Sequence, residues 1–496
     1  MLHPLLYEIN TRCWLRDLSD DAGHAITLEN VPDAEFIKWQ QLGFTHIWLM
    51  GVWTSGSRAR AQALKSPGLA QAFSEALPGW TESDVAASPY AISAYQVPAS
   101  LGGEQGLKRF RRKLRDAGLK LLLDFVPNHL GLDHPWLNDR PELFVQAPKP
   151  AADTFTQTTA NGLKYLAHGK DPYCPAWNDT VQLDYRRSET RAAMSVVLQG
   201  VAELCDGVRC DMAMLLLNEV FANTWKQFPS LEPEPKTEFW SDAITAVRRG
   251  HAGFLFLAEV YWGLESRLQS LGFDYTYDKT LYDRMVSGEP GAVQRHLLGL
   301  APGLLAGSAH FLENHDEPRI ASLLAVAAHR AAALLILGLP GMRFLHEGQL
   351  CGFRRRLPVQ LARRMREEGN SEIGKMYNKL LAAIHRSAIG QGTPTLLVPN
   401  RAWSDNPTGQ HFILIQWTGS ATSFDLVVVN LAPHHSQCYA PLKLPAGVTT
   451  WWTLKDLLGE DRFVRNNDDL NRQGLYLDLP AHGAQILHFE PMAGGA

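Results

Sequence analysis

The chain has 496 residues, of which 45% are hydrophobic and 20% are charged. This length is too great for one ordinary hydrophobic core, so it predicts two or three domains, and the composition excludes disorder on a large scale. The 47 Lys and Arg residues are balanced by 51 Asp and Glu residues, and the resulting net charge of −4 gives no electrostatic case for binding nucleic acid.

The cysteines and the apolar segments indicate where such a chain resides. The six cysteines are scattered and form no CxxC pair, so we predict neither a zinc site nor a disulfide framework, and we expect a cytoplasmic protein. The opening stretch MLHPLLYEIN lacks a charged segment followed by a long apolar one, so no signal peptide is expected. No apolar run is long enough to predict a membrane-spanning helix.

An amphipathic helix, a glycine and an apolar strand follow one another repeatedly. In LKRFRRKLRDAG, Leu107, Phe110 and Leu114 recur at helical spacing, and Gly118 is placed to end the helix in the left-handed conformation. Eight strand candidates result: PLLYEINTRCWL, FTHIWLMGVW, LKLLLDFVPNH, VRCDMA, FLFLAEVYW, GFDYTYD, AHFLENHD and LPGMRFLHEGQ. Nearly continuous apolar strands that alternate with helices indicate a covered parallel sheet, and eight of them predict an α/β fold with a closed (β/α)8 TIM barrel.

Two segments interrupt this alternation and set the predicted domains. Residues 133–180 are rich in Pro, Asn, Asp and aromatic residues, and we predict a small domain inserted after the third strand. Residues 391–496 contain short apolar runs at close intervals, which predict a C-terminal antiparallel β-sandwich. Residues 1–132 and 181–390 would then form the barrel.

Four predicted strands finish on an acidic residue: Asp124, Asp211, Glu259 and Asp316. Catalytic groups of such barrels lie at the C-terminal ends of the strands, so four acids that converge there indicate a functional site. One acid alone would more often be a helix cap or an ion-pair partner. Arg209 lies two residues before Asp211, so both side chains face the same side of the strand, and we expect the arginine to keep the aspartate ionised.

Paired carboxylates of this kind indicate glycoside hydrolysis, in which one acid protonates the leaving oxygen while another attacks or stabilises the sugar carbon. The sequence contains no motif typical of other enzyme chemistries: GxSxG, HExxH, GxxxxGK[ST], and GxGxxG after a strand are all absent from it. The pair His434 and His435 in the tail is interpreted as a loop feature.

The segments DFVPNH, GVRCDMAM, FLAEVYW and FLENHD resemble, in order, the four signature motifs of the α-amylase family, glycoside hydrolase family 13. The resemblance implies that Asp211 is the nucleophile that forms a covalent glycosyl-enzyme and that Glu259 is the general acid/base. It implies that Asp316 stabilises the oxocarbenium-like sugar. It also implies a small domain B, a β-sandwich domain C, and retention of anomeric configuration.

The same resemblance implies a set of residues that orient the nucleophile, bind sugar hydroxyls or stack beneath the reacting sugar. These predicted substrate-binding residues are Tyr90, His129, Arg209 and His315. Glu313, Glu317 and Arg319, which flank Asp316, are expected to pair with each other or to line the rim.

Three features bear on how far the family pattern extends. Met214 and Leu215 replace a frequent Lys-His pair, so a usual leaving-side contact is missing and ordinary endo-amylase action is in doubt. Asn128 matches one ligand of a structural calcium site, but a single ligand leads us to predict neither a metal nor a cofactor. Arg354–Arg356 follow the eighth strand, where barrels often bind phosphate, so a phosphorylated donor or acceptor is one interpretation. The alternative is that these arginines are ordinary surface charges in contact with solvent.

We therefore predict a retaining glycoside hydrolase acting on α-glucosidic bonds of maltooligosaccharides or related α-glucans. The alternative is a transglycosylase that uses the same residues to pass the glycosyl group to a sugar acceptor. A non-catalytic, amylase-like binding protein would lack one of the acids, and all are present. The expected partner is an α-linked glucan, without nucleic acid or membrane, and the sequence leaves linkage, acceptor and oligomeric state open.

Overall fold

The computed structural model describes residues 3–159, 162–228, 230, 233, 235–445, 447 and 450–492. Eight parallel strands form a closed barrel, as the sequence predicts. Each strand pairs with the next in sequence, and the last pairs with the first. The barrel strands are β1 (Leu5–Asn10), β2 (His46–Met50), β3 (Lys120–Phe125), β4 (Gly207–Cys210), β5 (Leu255–Ala258), β6 (Tyr275–Tyr277), β7 (Ser308–Phe311) and β8 (Met342–His346).

The interior of the barrel is packed with large side chains. They include Leu6, Trp48, Met50, Leu122, Leu257, Tyr277, Phe311 and Phe344. Strands β2, β4, β5, β7 and β8 are buried at every position, which explains why they read as continuous apolar runs. A filled barrel has no central channel, so a ligand site has to be built at one end.

Helices surround the barrel, and Gly118 ends one of them as expected. The segment LKRFRRKLRDAG forms the end of the helix Gly103–Asp116, and Gly118, two residues beyond it, has φ +75°, in the left-handed region that glycine adopts without strain. The other helices of eight or more residues are Thr11–Ala22, Asp33–Gln41, Ser57–Lys65, Pro67–Ala76, Ser188–Ala202, Asn218–Trp225, Phe239–Gly250, Lys279–Val286, Pro290–Gly299, Val326–Gly338 and Ser371–His385. Among the described residues, none of the helices has the length and apolar character that a membrane crossing requires.

The chain between β3 and β4 forms two small antiparallel sheets. Strands His129–Gly131 and Thr180–Gln182 pair with each other near the barrel. Farther along the insertion, Gly162–Ala167 lies between Gln146–Ala147 and Thr154–Thr159. This insertion overlaps the predicted residues 133–180, and the exact domain boundaries stay a prediction.

The C-terminal part consists of two antiparallel sheets around a common core. The six-stranded sheet has the order Thr393–Leu397, Phe412–Thr418, Phe424–Asn430, Ala484–Pro491, Trp451–Asp456 and Arg462–Asn466. The three-stranded sheet has the order Asn400–Arg401, Ser436–Ala440 and Leu475–Leu479. Their shared core includes Phe412, Leu426, Trp452 and Phe489. Within the predicted sandwich, residues 446, 448, 449 and 493–496 lie outside the described residues.

The larger C-terminal sheet packs directly on the barrel through one helix. A Cβ added to Gly338, the last residue of Val326–Gly338, would lie 2.9 Å from Val427 of the sheet, so only glycine allows this approach. The indole of Trp417 also donates a hydrogen bond to the carbonyl oxygen of Gly338 at 2.8 Å. The helix is therefore covered on both sides, which explains its almost uniformly apolar sequence.

Candidate active site

The strand ladder brings three of the predicted acids to one end of the barrel. Asp124 on β3 is the register partner of Arg209 on β4. Asp211 directly follows β4, and its backbone N–H donates to the carbonyl oxygen of Phe125 at 2.9 Å. Glu259 directly follows β5, and its N–H donates to Cys210 at 3.0 Å. The acids thus lie level with one another at the C-terminal mouth, where barrel chemistry is built.

Arg209 holds these carboxylates together, and we call Asp124, Arg209, Asp211 and Glu259 the Arg209 centre. Its Nη1 lies 2.8 Å from Asp211 Oδ1 and 3.6 Å from Asp124 Oδ1, and its Nη2 lies 2.7 Å from Glu259 Oε2. The guanidinium is buried, with its carbon 5.3 Å from the ring centroid of Trp48. One positive charge is therefore shared among three buried carboxylates.

Burial controls the proton affinity of the Arg209 centre. Burial raises the pKa of Asp211 and of Glu259, although the charge of Arg209 opposes the increase. The pKa of Asp124 is raised by burial to about 7. Arg209 thus positions Asp211 as expected, but it does not hold the pKa of this carboxyl at or below its ordinary value, because desolvation has the larger effect.

Each oxygen of Glu259 accepts a hydrogen bond from a group other than Arg209. The N–H of Met212 donates to Oε2 at 2.8 Å, and the hydroxyl of Tyr261 donates to Oε1 at 2.7 Å. Met212 reaches this position with φ +43°, an unfavourable left-handed conformation for a residue with a side chain. The backbone strain beside Asp211 therefore serves to fix the carboxyl group of Glu259.

His315 forms a second group of contacts beside the Arg209 centre. Its Nε2 lies 3.0 Å from Asp316 Oδ2 and 2.7 Å from the hydroxyl oxygen of Tyr90, and its Nδ1 bonds Glu8 Oε1. Burial opposes a charge on His315, but Asp316 and Glu8 raise its pKa well above the ordinary value. The ring is therefore an imidazolium held between two carboxylates.

Asp316 differs from the other acids in its exposure and its charge. Its side chain is 49% exposed, whereas those of Asp211 and Glu259 are 8% and 4% exposed. Desolvation opposes ionisation, yet the charge and hydrogen bond of His315 lower the pKa of Asp316 to about 2. Asp316 is thus an anion over the whole physiological pH range and faces the open side of the site.

The remaining predicted sugar ligand, His129, joins the site through Tyr90. The backbone of Tyr90 lies close enough to the His129 ring to favour its charged form, and this ring lies 5.1 Å from that of Trp177. Burial lowers the pKa of His129 to about 4, so this ring is neutral. The Tyr90 ring stacks on His315 with a centroid separation of 5.4 Å. The structure therefore brings all four predicted substrate-binding residues together with the three catalytic candidates.

The amide of Asn128 is paired with the amide of Gln182. Its Oδ1 accepts a hydrogen bond from Gln182 Nε2 at 3.0 Å, and its Nδ2 donates to Gln182 Oε1 at 3.2 Å. The two buried amides thus satisfy each other. Within the described ranges, no group of three or more His, Cys, Asp or Glu is arranged to hold a metal ion. The prediction about cofactors stays a prediction.

The other charges of FLENHDEPR form a separate cluster, and we call Glu313, Arg319, His346 and Glu347 the Arg319 centre. Arg319 Nη1 donates to Glu313 Oε1 at 2.7 Å and to the Glu347 carbonyl oxygen at 2.6 Å. The other oxygen of Glu313 accepts from the N–H of Ile320 at 2.7 Å. The predicted pairing of Glu313 with Arg319 is confirmed. Glu317, at the rim, lies 3.3 Å from Lys279 instead.

The family model described as the catalytic domain of α-amylase matches residues 35–281. Together with the closed barrel and the four ordered motifs, this match decides the family. The chain belongs to the α-amylase family. The match ends before β7 and does not include His315 and Asp316. The structure places these two residues beside the matched part of the site.

Two curated relatives each match about half of the chain. Alpha-amylase MalA of Haloarcula japonica is 25% identical over 269 residues, which is 53% of this chain and 36% of the relative. Alpha-amylase 3 of Dictyoglomus thermophilum is 22% identical over 291 residues, which is 54% of each chain. The chain thus spans about a third to a half of the length of these relatives.

A solved structure reproduces the whole fold. The noncanonic maltogenic α-amylase AmyB of Thermotoga neapolitana aligns with a TM-score of 0.68 and 18% identity, over 99% of this chain and 99% of that one. At this identity the likeness concerns the fold.

The segment after Asp211 departs from the family pattern. Met214 and Leu215, which replace the Lys-His pair, are fully buried and offer no polar contact. In contrast, Trp262, three residues after Glu259, is 41% exposed and adopts φ +66°. Its ring meets that of Tyr173 from the inserted segment at 5.0 Å and 77°. Tyr173 is itself 76% exposed, so these two rings form an open aromatic pair.

The sequence left several neighbours of the site unassigned. Glu8 holds His315, Tyr261 holds Glu259, and the hydroxyl of Tyr277 accepts a hydrogen bond from Arg209 at 3.3 Å. Tyr261 could have been found, because it is two residues from Glu259 in an extended stretch and shares its face. Tyr173 carried no such signal, since its contact with Trp262 joins distant segments.

Proposed function

We propose that this α-amylase-family chain is a retaining glycosidase that cleaves α-glucosidic bonds of maltooligosaccharides or related α-glucans. One observation carries the proposal: Asp211, Glu259 and Asp316 converge on one barrel mouth, where Asp211 and Glu259 are buried against Arg209 and Asp316 is half-exposed. Retaining glycosidases need carboxyl groups in different protonation states about 5–5.5 Å apart, one to attack and one to donate a proton.

The first step breaks the glycosidic bond. Glu259, whose pKa is raised by burial, donates its proton to the glycosidic oxygen, and the leaving sugar departs with a new hydroxyl group. The carboxylate of Asp211, aligned by Arg209, attacks the anomeric carbon and forms a covalent glycosyl ester. The anion of Asp316 stabilises the positive charge that develops on the sugar ring, while His315, His129 and Tyr90 hold its hydroxyls and its face.

The second step releases the sugar. Glu259, now a carboxylate, takes a proton from a water molecule, whose oxygen attacks the anomeric carbon and displaces Asp211. Two inversions at this carbon give net retention. Both steps use carboxyl groups of the chain as acid, base and nucleophile, so we propose a reaction without a cofactor. The scattered cysteines support a cytoplasmic setting for it.

A transglycosylase is the second candidate, and the open aromatic pair favours it. Exposed rings stack on the apolar faces of sugars, and Trp262 follows Glu259 closely enough to contact a sugar on the leaving side. A sugar held there is also placed to replace water as the acceptor. We expect Trp262→Ala to raise KM for an oligosaccharide about tenfold with little change for a simple aryl α-glucoside, which lacks the second sugar. Equal effects on both substrates would contradict this role.

The deciding experiment is to incubate the protein with a linear α-1,4-maltooligosaccharide of defined length and to separate the products by size, with Glu259→Gln as control. Products that are all shorter than the substrate indicate a hydrolase. Products longer than the substrate indicate a transferase. The absence of any change with wild-type protein would contradict both proposals for this class of substrate.

A further inference from the structure

The segment 353–370, which follows β8 and contains neither helix nor strand, carries six arginines. They fall into two groups of three. The first group, which we call the arginine triplet, is Arg354, Arg355 and Arg356. The second group is Arg363, Arg364 and Arg366. The two groups lie on one segment of the same rim, so each serves as a reference for the other.

Every arginine of the second group has a carboxylate partner. Arg363 Nε lies 2.6 Å from Asp84, and Arg364 Nη2 lies 2.6 Å from Glu347. Arg366 pairs with Asp21. These ion pairs connect the segment to the body of the barrel, and each positive charge is neutralised within the protein. The second group is therefore explained by the fold alone.

The arginine triplet is different, because none of its guanidinium groups has a carboxylate within ion-pair distance among the residues that the structure describes. All three side chains are exposed. Glu367, which contacts the backbone of this group, uses its two oxygens to accept from the N–H groups of Arg354 and Arg355, at 2.6 and 3.2 Å. Three adjacent cations repel one another, and among the described residues no carboxylate forms an ion pair with any of the three guanidinium groups.

The backbone of the arginine triplet is fixed in place. Arg319 Nε donates to the carbonyl oxygen of Arg355 at 3.3 Å, and Arg355 Nη1 donates to the carbonyl oxygen of Glu75 at 3.2 Å. The next residue, Leu357, packs against a small apolar cluster that includes Phe73 and Leu361. The charges are therefore presented from a supported loop, and a bound group would not have to order this backbone.

The arginine triplet also lies at the mouth of the candidate active site. Arg319, which contacts its backbone, is three residues from Asp316 in the sequence. The positive charge of Arg356 adds to the lowering of the pKa of Asp316, after His315 and Arg209, so this guanidinium lies within electrostatic reach of the carboxylate. A sugar held over Asp316 would thus have part of its surface near the arginine triplet.

We propose that the arginine triplet binds the phosphate monoester of a phosphorylated sugar, so that the substrate or acceptor of this site is a sugar phosphate. A monoester carries about −1.5 to −2 charges at pH 7, and arginine donates paired hydrogen bonds that match phosphate oxygens. The anion of Asp316 repels the phosphate, which therefore binds on the side of the arginines and leaves the reacting carbon to the Arg209 centre. This inference deepens the proposed function and rests on the same site.

The test is direct binding, which needs no turnover. Isothermal titration calorimetry at low ionic strength compares glucose 6-phosphate with glucose on wild-type protein, on Arg354→Ala/Arg356→Ala, and on the matched control Arg366→Ala. We expect wild type to bind glucose 6-phosphate at least tenfold more tightly than glucose. The double variant should lose this preference, while the control retains it, since Arg366 belongs to the same segment but is paired with Asp21.

Several outcomes separate the alternatives. Equal affinity of wild type for both sugars would overturn the proposal, as would a preference that survives in the double variant. A preference lost equally in the Arg366 control would also overturn it, because it would then reflect general surface charge. Inorganic phosphate that competes with glucose 6-phosphate in wild type would support it. If binding is as expected but no glycoside is cleaved, the phosphate site stands and the proposed reaction fails.

Discussion

The Arg209 centre and the Arg319 centre use similar parts for different purposes. In both, a buried arginine bonds carboxylates at the C-terminal end of the barrel, and in both, burial raises the pKa of a glutamate, Glu259 or Glu313. In the Arg319 centre, one carboxylate faces one guanidinium, and both of its oxygens are satisfied. In the Arg209 centre, three carboxylates share one guanidinium, beside the half-exposed anion of Asp316.

The comparison shows that burial and a shifted pKa do not by themselves identify a catalytic acid. The number of acids per cation and the access to solvent make the difference. A carboxylate that is paired with one cation and has both oxygens hydrogen-bonded is not arranged to exchange a proton with a substrate. An assembly with more carboxylates than cations has to hold a proton, and it can deliver that proton if a neighbouring group is open to substrate. Four substitutions test this distinction.

The largest effect is expected for Glu259→Gln. The amide keeps the shape of the side chain but cannot donate a proton to the leaving oxygen, so we expect kcat/KM on an oligosaccharide to fall about 10³-fold or more. The thermal midpoint should change little, because Arg209 retains Asp211 and Asp124. α-Glucosyl fluoride, whose leaving group needs no proton, should be affected far less. Equal losses on both substrates would argue against the role as acid.

Glu313→Gln is the matched change in the other centre. It leaves Arg319 buried without its counter-charge, so we expect the free energy of unfolding to fall by about 3–5 kcal/mol. Chemical denaturation with urea measures this change. Activity per folded molecule at low temperature should remain within a few-fold of wild type. A variant of normal stability that is inactive would reverse the assignment of the two centres.

Asp124→Asn tests whether the Arg209 centre holds excess carboxylate. Since burial raises the pKa of Asp124 to about 7, the protonated form is favoured in the folded state. Its contribution to stability is full below pH 4 and is lost as the pH rises through about 7. Wild type should therefore lose stability between pH 5 and pH 8, and the variant should lose up to about 3 kcal/mol less over this range. Denaturation curves at pH 5 and pH 8 measure the loss of stability. Equal losses in wild type and variant would refute a protonated Asp124 in the folded state.

The smallest effect is expected for Tyr261→Phe. The Tyr261 hydroxyl donates to Glu259 and favours its charged form, so removing it should raise the pKa of Glu259 further. A general acid that stays protonated to higher pH moves the alkaline limb of the kcat/KM profile upward, here by about 0.5–1 pH unit. Tyr95→Phe, which removes another buried hydroxyl, is the control. A shift downward would contradict the assigned role.

Much of the fold and of the site could be predicted from the sequence. The eight barrel strands were found because a strand covered on both faces is continuously apolar. Asp124, Asp211 and Glu259 were found because each lies at the end of such a strand or directly after it, whereas Asp316 lies five residues beyond Phe311, where β7 ends. The family resemblance placed Tyr90, His129 and His315, and the structure brings them together.

What the sequence could not supply depends on long-range geometry. Glu8 ends up against His315 although 307 positions separate them, and Tyr173 meets Trp262 across the insertion. The direction of the pKa shift at Asp211 could not be predicted either. The two-residue spacing placed Arg209 beside Asp211, but it did not show that burial raises the pKa by more than the charge of Arg209 lowers it. The unpaired state of the arginine triplet became visible only once the partners of Arg363, Arg364 and Arg366 were known.

The bond between Glu8 and His315 has a consequence for synthesis of the chain. Glu8 is fully buried on the first barrel strand, whereas His315 follows the seventh. During translation, a partly made barrel therefore contains a carboxylate whose counter-ion has not yet left the ribosome. At an elongation rate of about 5–20 residues per second, the intervening 307 positions represent a delay of some tens of seconds. The catalytic mouth is thus completed late, and the nascent chain has no means of acting on sugar before its barrel can close.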